Sequence, residues 1–304
     1  MELEFLGTGA GMPNKERNVS SIVLDLSNEL KSMWMFDCGE GTQHQILHST
    51  IKPRKINKIL ITHLHGDHIY GLPGFLSSRS FLGGTSPLTI YGPSGIKEFV
   101  QTALQISCTH LTYDLHYQEI EDGLIFSDDN FTITAKQLHH GIPSYGFRIE
   151  QQPIQGKLLV DKLRNHNILP GPIYKEIKEQ THVTLPDGTI VATAPFISEP
   201  QQGKKIAIFG DTRVDDTNIE LAHEVDVLVH ESTFAKDKST LARDYFHSTT
   251  TEVATFCLQA NVKKLILTHI SSRYQKEEIP QLLEEARSIF SHTEIANDGT
   301  RFSI

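Results

Sequence analysis

Four potential metal ligands occur within six residues of the sequence. His63, His65, Asp67 and His68 follow the apolar run KILIT, which has the composition of a buried strand. Side chains two residues apart in extended backbone point to the same side, so His63 and His65 can hold one ion. A turn at Gly66 brings Asp67 and His68 beside them, near the start of the next helix. The sequence therefore predicts two metal ions a few ångströms apart.

Further ligands are available where later strands are predicted to end. They are His139-His140 after FTITAKQL, Asp211 after KIAIFG, His230-Glu231 after VDVLV and His269 after KLILT. Any one of them alone is more commonly a solvated or hydrogen-bonded loop residue. Their shared position favours ligation, because α/β layers gather their chemistry at the rim where strands end. We assign His63, His65 and His140 to the first ion and Asp67, His68 and His269 to the second, with Asp211 bridging.

The ligand types favour zinc. Only three cysteines occur, Cys38, Cys108 and Cys257, too few and too scattered for a disulfide framework or a Cys-x-x-Cys site. Imidazoles with carboxylates suit zinc better than magnesium or calcium, although iron and manganese also accept such a set. Structural zinc usually uses cysteine, so we expect a catalytic pair that activates water and neutralises charge on a leaving group. The expected reaction is hydrolysis.

Breaking a ribose phosphodiester also requires a proton for the departing oxygen. His247, in the run Phe246-His247-Ser248-Thr249, is the candidate donor, with Glu231 as the carboxylate that orients it. The alternative is that Ser248 and Thr249 only cap the N-terminus of a helix and that His247 has no catalytic role.

The order of apolar runs predicts the elements that position these residues. Period-two runs over residues 3–6 and 20–26 indicate strands, and from residue 58 strands alternate with amphipathic segments such as residues 95–106. Strand patterning returns over residues 111–150, and alternation resumes after residue 204. Two similar β-then-α halves predict stacked sheets with helices on both outer faces, a four-layer α/β/β/α arrangement. The alternative is one doubly wound sheet.

Composition narrows the class of protein. The chain has 304 residues, with 28 Lys and Arg against 37 Asp and Glu, and a net charge of −9. This charge excludes a generally basic, histone-like binder. No apolar run is long enough for a membrane helix, and the opening MELEFLGTGA lacks the features of a signal peptide. We expect a cytoplasmic enzyme with no membrane partner.

Residues 151–200 do not fit either half and read as an insertion. This segment is rich in chain-breaking residues: Pro153, Pro170, Gly171, Pro172 and Pro186. It also contains an amphipathic stretch, KLLVDKL, which predicts partial order. Between residues 151 and 180 there are five Lys or Arg against three Asp or Glu, so positive charge is concentrated here. The alternative is a surface excursion that happens to contain lysines.

The run from His63 to His68 resembles the HxHxDH signature of the metallo-β-lactamase superfamily. The Gly-rich opening, His140, Asp211 and His269 follow in that superfamily's order. The resemblance spans nearly the whole chain and implies an αβ/βα sandwich, formed as one domain over residues 1–304, with two Zn²⁺. The superfamily includes lactamases, thioesterases, lactonases and nucleases, so the fold alone does not choose an activity.

Four further features resemble the ribonuclease Z family. Residues 12–18, MPNKERN, match its PxKxRN loop; residues 230–233, HEST, and 247–249, HST, match its HEAT and HST loops. The insertion with Gly171 and Pro172 resembles its flexible arm, which grips the tRNA elbow. The one departure is Ser232 in place of alanine, which leaves Glu231 in place.

This resemblance implies a zinc-dependent endoribonuclease that removes the 3′ trailer from precursor tRNA. It implies a cut after the discriminator nucleotide that leaves a 3′ hydroxyl, and a homodimer in which one subunit's arm holds tRNA cut by the other. Asp67 would accept the proton of the attacking water, and His247 with Glu231 would protonate the leaving group. Lys15 and Arg17 would contact the substrate, although a solvated polar turn explains them equally well.

Two other functions stay open from the sequence. A small-molecule hydrolase, such as a lactonase or thioesterase, would use the same dinuclear core and would be favoured by a chain without the arm. A metal-stabilised RNA-binding module without catalysis would bind tRNA but form no product.

Overall fold

The periodic runs of the sequence form eighteen strands and ten α-helices within the residues described, 1–185 and 187–304, of this computed structural model. Pro186, one of the prolines of the predicted insertion, lies outside the described residues. The strands are β1 (Glu2–Gly7), β2 (Gly9–Ala10), β3 (Ser21–Leu26), β4 (Ser32–Phe36), β5 (Ile56–Leu60), β6 (Leu88–Gly92), β7 (Leu115–Glu119), β8 (Gly123–Ser127), β9 (Phe131–Leu138), β10 (Ser144–Gln151), β11 (His182–Thr184), β12 (Ile190–Ala192), β13 (Lys205–Phe209), β14 (Val227–Glu231), β15 (Leu265–Thr268), β16 (Ile270–Ser271), β17 (Thr293–Ile295) and β18 (Arg301–Ser303). The helices are α1 (Thr42–Ile46), α2 (Gly66–Ile69), α3 (Leu72–Phe81), α4 (Ile96–Ile106), α5 (Val160–Asn165), α6 (Ile173–Glu179), α7 (Ile219–Ala222), α8 (Ser239–Asp244), α9 (Thr250–Gln259) and α10 (Ile279–Arg287).

The chain divides into two compact units. The first unit comprises residues 1–128, 132–150 and 205–304, and the second comprises residues 129–131 and 151–204. The predicted insertion, residues 151–200, falls within the second unit.

Two seven-stranded sheets form the framework of the first unit. Their strand orders are β18-β1-β3-β4-β5-β6-β7 and β17-β15-β14-β13-β10-β9-β8. Strands β4, β5 and β6 run parallel, as do β13, β14 and β15. The carboxyl ends of parallel strands therefore gather at one edge of each sheet, as the strand-end ligands require.

The two sheets pack face to face through aromatic residues. The ring of Phe36 on β4 lies 6.0 Å from that of Phe147 on β10, and Trp34 lies 5.8 Å from Phe126 on β8. One outer face buries apolar residues of α2, α3 and α4, including Ile69, against the first sheet. The other buries α7, α9 and α10 against the second sheet. The predicted four-layer arrangement is confirmed, and the alternative prediction of one doubly wound sheet is wrong.

The second unit has a small core of its own. Helices α5 and α6 and the hairpin β11–β12 bury five apolar side chains, Leu163, Ile168, Ile177, Val183 and Phe196. The stretch KLLVDKL leads into α5, and the hairpin is an element that the strand rhythm of the sequence did not indicate. Five apolar side chains are enough to order a short segment but form a modest core.

Among the described residues, no helix combines the length and the apolar character needed to cross a bilayer. The cytoplasmic location stays a prediction, which cell fractionation would test.

Candidate metal centre and active site

The seven predicted metal ligands lie together at the edge where strands of both sheets end. They form two overlapping groups, His63, His65, His140 and Asp211 in the first and Asp67, His68, Asp211 and His269 in the second, with the ligand atoms of each group within 4.8 Å of one another. Asp211 belongs to both groups, as expected of a bridging carboxylate.

Distances in the first group match a tetrahedral zinc site. His63 Nε2 lies 3.1 Å from His65 Nδ1 and 3.6 Å from Asp211 Oδ2, and His65 Nδ1 lies 3.3 Å from His140 Nε2. Ligands held about 2.0–2.1 Å from a tetrahedral zinc ion are about 3.3 Å apart. The nitrogen and oxygen atoms are therefore spaced as the edges of such a tetrahedron.

The second group has the same spacing. His269 Nε2 lies 3.4 Å from Asp67 Oδ2 and 3.3 Å from Asp211 Oδ2, and His68 Nε2 lies 3.5 Å from Asp67 Oδ2. His68 Nε2 is buried and makes no hydrogen bond within the part of the chain that the structure describes. A buried polar atom without a partner is costly unless a ligand satisfies it. The group therefore fits a cation that His68 binds.

Burial and mutual charge set the protonation of the cluster. Burial lowers the pKa of His63 well below its ordinary value and also lowers that of His140, which keeps both imidazoles neutral. Burial would raise the pKa of Asp211, but His269, His68 and His63 hold it well below the ordinary range. For His68 burial is outweighed by nearby carboxylates, Asp211 first, which raise its pKa. Metal binding to this set would displace that proton.

A carboxylate outside the two groups orients two of the ligands. Asp37 Oδ2 accepts hydrogen bonds from His68 Nδ1 at 2.7 Å and from the Thr62 hydroxyl at 2.8 Å. The Thr62 oxygen in turn lies 3.0 Å from His63 Nδ1. With Nδ1 engaged in this way, His63 and His68 both present Nε2 to the cluster. Sequence reasoning missed Asp37, although its place directly after the buried strand β4 was a usable signal.

The loop that contains Asp37 packs closely against α2 and requires glycine at residue 39. A Cβ on Gly39 would lie 2.3 Å from the Asp67 carbonyl oxygen, so a larger residue would displace α2. On the opposite side the Gly-rich loop after β1 approaches the site, where the Gly11 amide donates to Asp67 Oδ2 at 2.8 Å. Both loops therefore hold Asp67 in place through backbone atoms.

Glu231, Thr233 and His247 form a hydrogen-bonded set beside the cluster. His247 Nδ1 lies 2.8 Å from Glu231 Oε1, and Glu231 is almost fully buried. The Thr233 hydroxyl lies 2.8 Å from Glu231 Oε2 and 3.0 Å from His269 Nδ1. Glu231 thus orients His247 directly and His269 through Thr233. Sequence reasoning placed Thr233 in a motif but gave it no role.

Charge on Glu231 controls the proton on His247. Burial alone would lower the pKa of His247, but the Glu231 carboxylate outweighs burial and raises it to about 9. The His247 side chain is 16% exposed, so its ring is accessible from the cleft. Thr249 caps α9 in a capping box with Glu252, as expected from the alternative in which this run only caps a helix. The cap and the Glu231–His247 pair therefore coexist.

A cleft of about 250 Å³ opens onto these groups. It is lined by His65, Asp67, His247 and His269, and also by Tyr245 and Arg273, which sequence reasoning did not single out. Tyr245 is 64% exposed. The Arg273 guanidinium lies 5.3 Å from the Phe234 ring and its Nε lies 3.2 Å from the Ser271 hydroxyl. A positive group and an exposed ring therefore stand at the entrance to the metal ligands.

The four residues predicted to bind substrate lie in different surroundings. Arg17 is 4% exposed, and its guanidinium donates to the Thr8 hydroxyl and the Ala296 carbonyl, each at 2.6 Å. This geometry anchors the loop of residues 12–18 and leaves only Lys15 of the pair exposed. Gly171 and Pro172 are exposed residues of the second unit, directly before α6.

Known proteins resemble the chain over its whole length. Ribonuclease Z of Anoxybacillus flavithermus is 56% identical over 304 residues, covering 100% of this chain and 97% of that protein. The crystal structure of human tRNase Z, short form, has 30% identity and a TM-score of 0.72 and covers 100% and 99% of the two chains. The metallo-β-lactamase fold protein YhfI from Bacillus subtilis has 19% identity and a TM-score of 0.68 and covers 99% and 98%. The predicted metallo-β-lactamase sandwich is confirmed.

Residues 1–156 also match the family described as Anti-Pycsar protein Apyc1. This stretch contains the ligands from His63 to His140. The matched residues end before Asp211, Glu231 and His247, so the match covers only the first part of the site.

We predict that Asp37→Asn weakens zinc binding by about 10- to 100-fold, because the amide has one accepting oxygen and cannot replace both Oδ1, which accepts from the Thr62 amide, and Oδ2, which accepts from His68 and the Thr62 hydroxyl. Asparagine tolerates the left-handed backbone of residue 37, where φ is 56°, so the fold should persist. Chelator competition on the purified protein measures the affinity, with Asp114→Asn at an exposed position as the control. Equal affinities in the two variants would contradict the role of Asp37.

Proposed function

Since the chain belongs to the ribonuclease Z family and is a tRNA 3′-processing endoribonuclease, we propose that it works with two zinc ions. We further propose that it cuts precursor tRNA after the discriminator nucleotide and leaves a 3′ hydroxyl on the tRNA. The observation that carries this proposal is the pair of tetrahedrally spaced ligand groups joined by Asp211, with His247 beside them.

The residues of the chain divide the chemistry between them. Bound zinc ions would supply Lewis-acid activation of water and stabilise charge on the phosphoryl oxygens. Asp67 lines the cleft and takes the proton of the attacking water. His247, held at Nδ1 by Glu231, donates a proton from its other ring nitrogen to the 3′ oxygen that leaves. Protonation at this atom gives the tRNA its 3′ hydroxyl.

We predict that the purified protein shortens a 3′-extended precursor tRNA to a single product ending at the discriminator nucleotide. A chelator should stop this cleavage and added zinc should restore it, because the two ligand groups offer imidazole nitrogens and carboxylates to a metal ion. A lactone and a thioester tested in parallel should not be turned over at a comparable rate.

Faster turnover of the lactone or thioester would favour the small-molecule hydrolase. Binding of precursor tRNA without any product would favour the non-catalytic module. Either result would contradict the proposal.

The raised pKa of His247 generates a pH-dependent test. A donor with a pKa of about 9 stays protonated at neutral pH, so kcat should fall only as the pH rises through about 9. In Glu231→Gln the carboxylate that outweighs burial is lost, so the pKa of His247 should drop toward or below the ordinary imidazole value of about 6.5, and kcat should already fall as the pH rises through about 6 to 7. Rate profiles of both enzymes, each with its zinc content measured, compare the two basic limbs. Coincident limbs would remove Glu231 from this role.

We propose that the second unit is the arm that recruits tRNA. Its cationic side chains at residues 157, 162, 164, 175 and 178 are all exposed, and the nearest ion pairs, such as Lys175 with Glu179 at 3.8 Å, are on the surface and weak. Exposed lysines and arginines bind backbone phosphates and release counterions. The arm would supply affinity that the acidic remainder of the chain does not.

We also propose a homodimer, formed through an apolar groove between α1 and α3. The groove has a volume of about 330 Å³, and Phe81, Leu47 and Leu82 at its edge are 89%, 72% and 55% exposed. Exposed apolar residues clustered in this way are typical of protein interfaces. A second copy of the chain would cover them.

A mixing experiment tests arm and dimer together. Glu150 on β10 is paired with Lys205 on β13, so a two-residue Asn-Gly turn can replace residues 151–204. We predict that this variant loses precursor tRNA cleavage by about a hundredfold or more but still hydrolyses a small phosphodiester. Mixing it with His247→Ala, which keeps its arm, should restore cleavage in the mixed dimer. No restoration in a sample that sedimentation shows to be dimeric would contradict an arm acting on the partner's site.

A further inference from the structure

Phe246, directly before His247, has a left-handed backbone conformation with φ of 60°. Residues with a bulky side chain rarely adopt this conformation, because Cβ comes close to the backbone. Such a residue persists only where its surroundings impose the conformation, and these places are often functional sites. The contacts of Phe246 identify what imposes this conformation.

Arg213 holds the Phe246 ring. The guanidinium carbon of Arg213 lies 4.1 Å from the centre of the ring, at the distance of a cation–π contact. Arg213 Nε is buried and makes no hydrogen bond to the described residues, so the ring is the principal partner of this end of the side chain. The Arg213 amide donates to the His139 carbonyl at 2.9 Å, and the His139 ring lies 5.9 Å from that of Phe246. The ring is thus held by His139, which directly precedes the predicted ligand His140, and by Arg213, which lies two residues after the predicted ligand Asp211.

The strained backbone directs one carbonyl at the metal site. The Phe246 carbonyl oxygen accepts a hydrogen bond from His140 Nδ1 at 3.0 Å. With that proton fixed on Nδ1, His140 Nε2 is unprotonated and can offer its electron pair to a metal ion. This atom lies 3.3 Å from His65 Nδ1 within the first ligand group. In an ordinary helical or extended conformation the carbonyl of residue 246 would point elsewhere.

We infer that Arg213 and Phe246 act as a positioning pair for His140. The cation on the ring keeps residue 246 in its left-handed conformation, and its carbonyl then fixes the tautomer and orientation of a zinc ligand. The inference rests on the proposed metal site. It assigns a function to two residues that neither touch substrate nor bind the ion.

The test separates positioning from simple packing. Phe246→Ala removes the ring and leaves a residue that disfavours a positive φ, so the backbone of residue 246 should leave its left-handed conformation. Zinc affinity of this variant should fall by about 10- to 100-fold, toward that of His140→Ala, whereas Phe246→Gly, which adopts a positive φ without the ring, should keep more of it. Arg213→Met should weaken zinc in the same way, whereas Arg213→Lys and Phe246→Tyr, which keep a cation and a ring, should recover most of the affinity.

Lys264→Met is the matched control. It removes another cation that lies over a ring, 4.9 Å from Phe302, at the end of β15 away from His269, and should leave zinc affinity unchanged. Normal zinc affinity in Phe246→Ala, with or without a lower melting temperature, would show that the ring only packs, and would overturn the inference. Normal affinity in Arg213→Met would overturn it as well. Affinity is measured by chelator competition, so the result stands apart from whether the wild-type protein cuts precursor tRNA.

Discussion

The structure of the site depends on the hydrogen bonds that four of the five ligand imidazoles make with their outward nitrogens. An imidazole offers one nitrogen to a metal reliably only when a partner fixes the proton on the other. His68 uses Asp37 and His140 uses the Phe246 carbonyl, while His63 and His269 reach carboxylates through threonine hydroxyls. The Asp37–Thr62–His63 and Glu231–Thr233–His269 chains repeat one arrangement on the two sheets. The second also ties a metal ligand to the residue that orients the proton donor.

These outward partners have a cost in backbone strain. Asp37, Phe246 and His269 all have positive φ, at 56°, 60° and 56°, and each either fixes a ligand or is one. Conformations of this kind cost of order 1–3 kcal/mol each and persist where the surrounding structure determines them. Asp37 and His269 directly follow the buried strands β4 and β15, which leave them little freedom, whereas Phe246 is held by contacts with Arg213 and His139. The stability of the four layers therefore supports conformations that the site needs and that isolated loops would avoid.

Sequence reasoning succeeded where function follows from position along the chain. The two β-then-α halves and the ligands at strand ends are encoded by period and spacing, so the four layers and the His63–His68 cluster could be read directly. Its place after β4 marks Asp37 as a candidate, but the partners of Asp37 and Arg213 could not be read, because they lie far along the chain and the contacts need a backbone conformation that spacing does not reveal. For Arg17 the sequence suggested a contact but could not give the direction of the side chain. Its type and motif suggested phosphate contact, but the direction of a side chain in an irregular loop is set by tertiary packing, and here it points inward.

Charge would account for the separation along the chain of the metal ligands and the segment proposed to recruit tRNA. A cluster built from partly buried Asp67 and buried Asp211 must stay tightly spaced, because its pKa values depend on neighbours within a few ångströms. Lysines added there to attract RNA would compete with the metal ions for those carboxylates. The cations of the second unit are exposed on a segment with a core of its own. If this unit recruits tRNA as proposed, its surface can change to suit the RNA without altering the residues of the ligand groups.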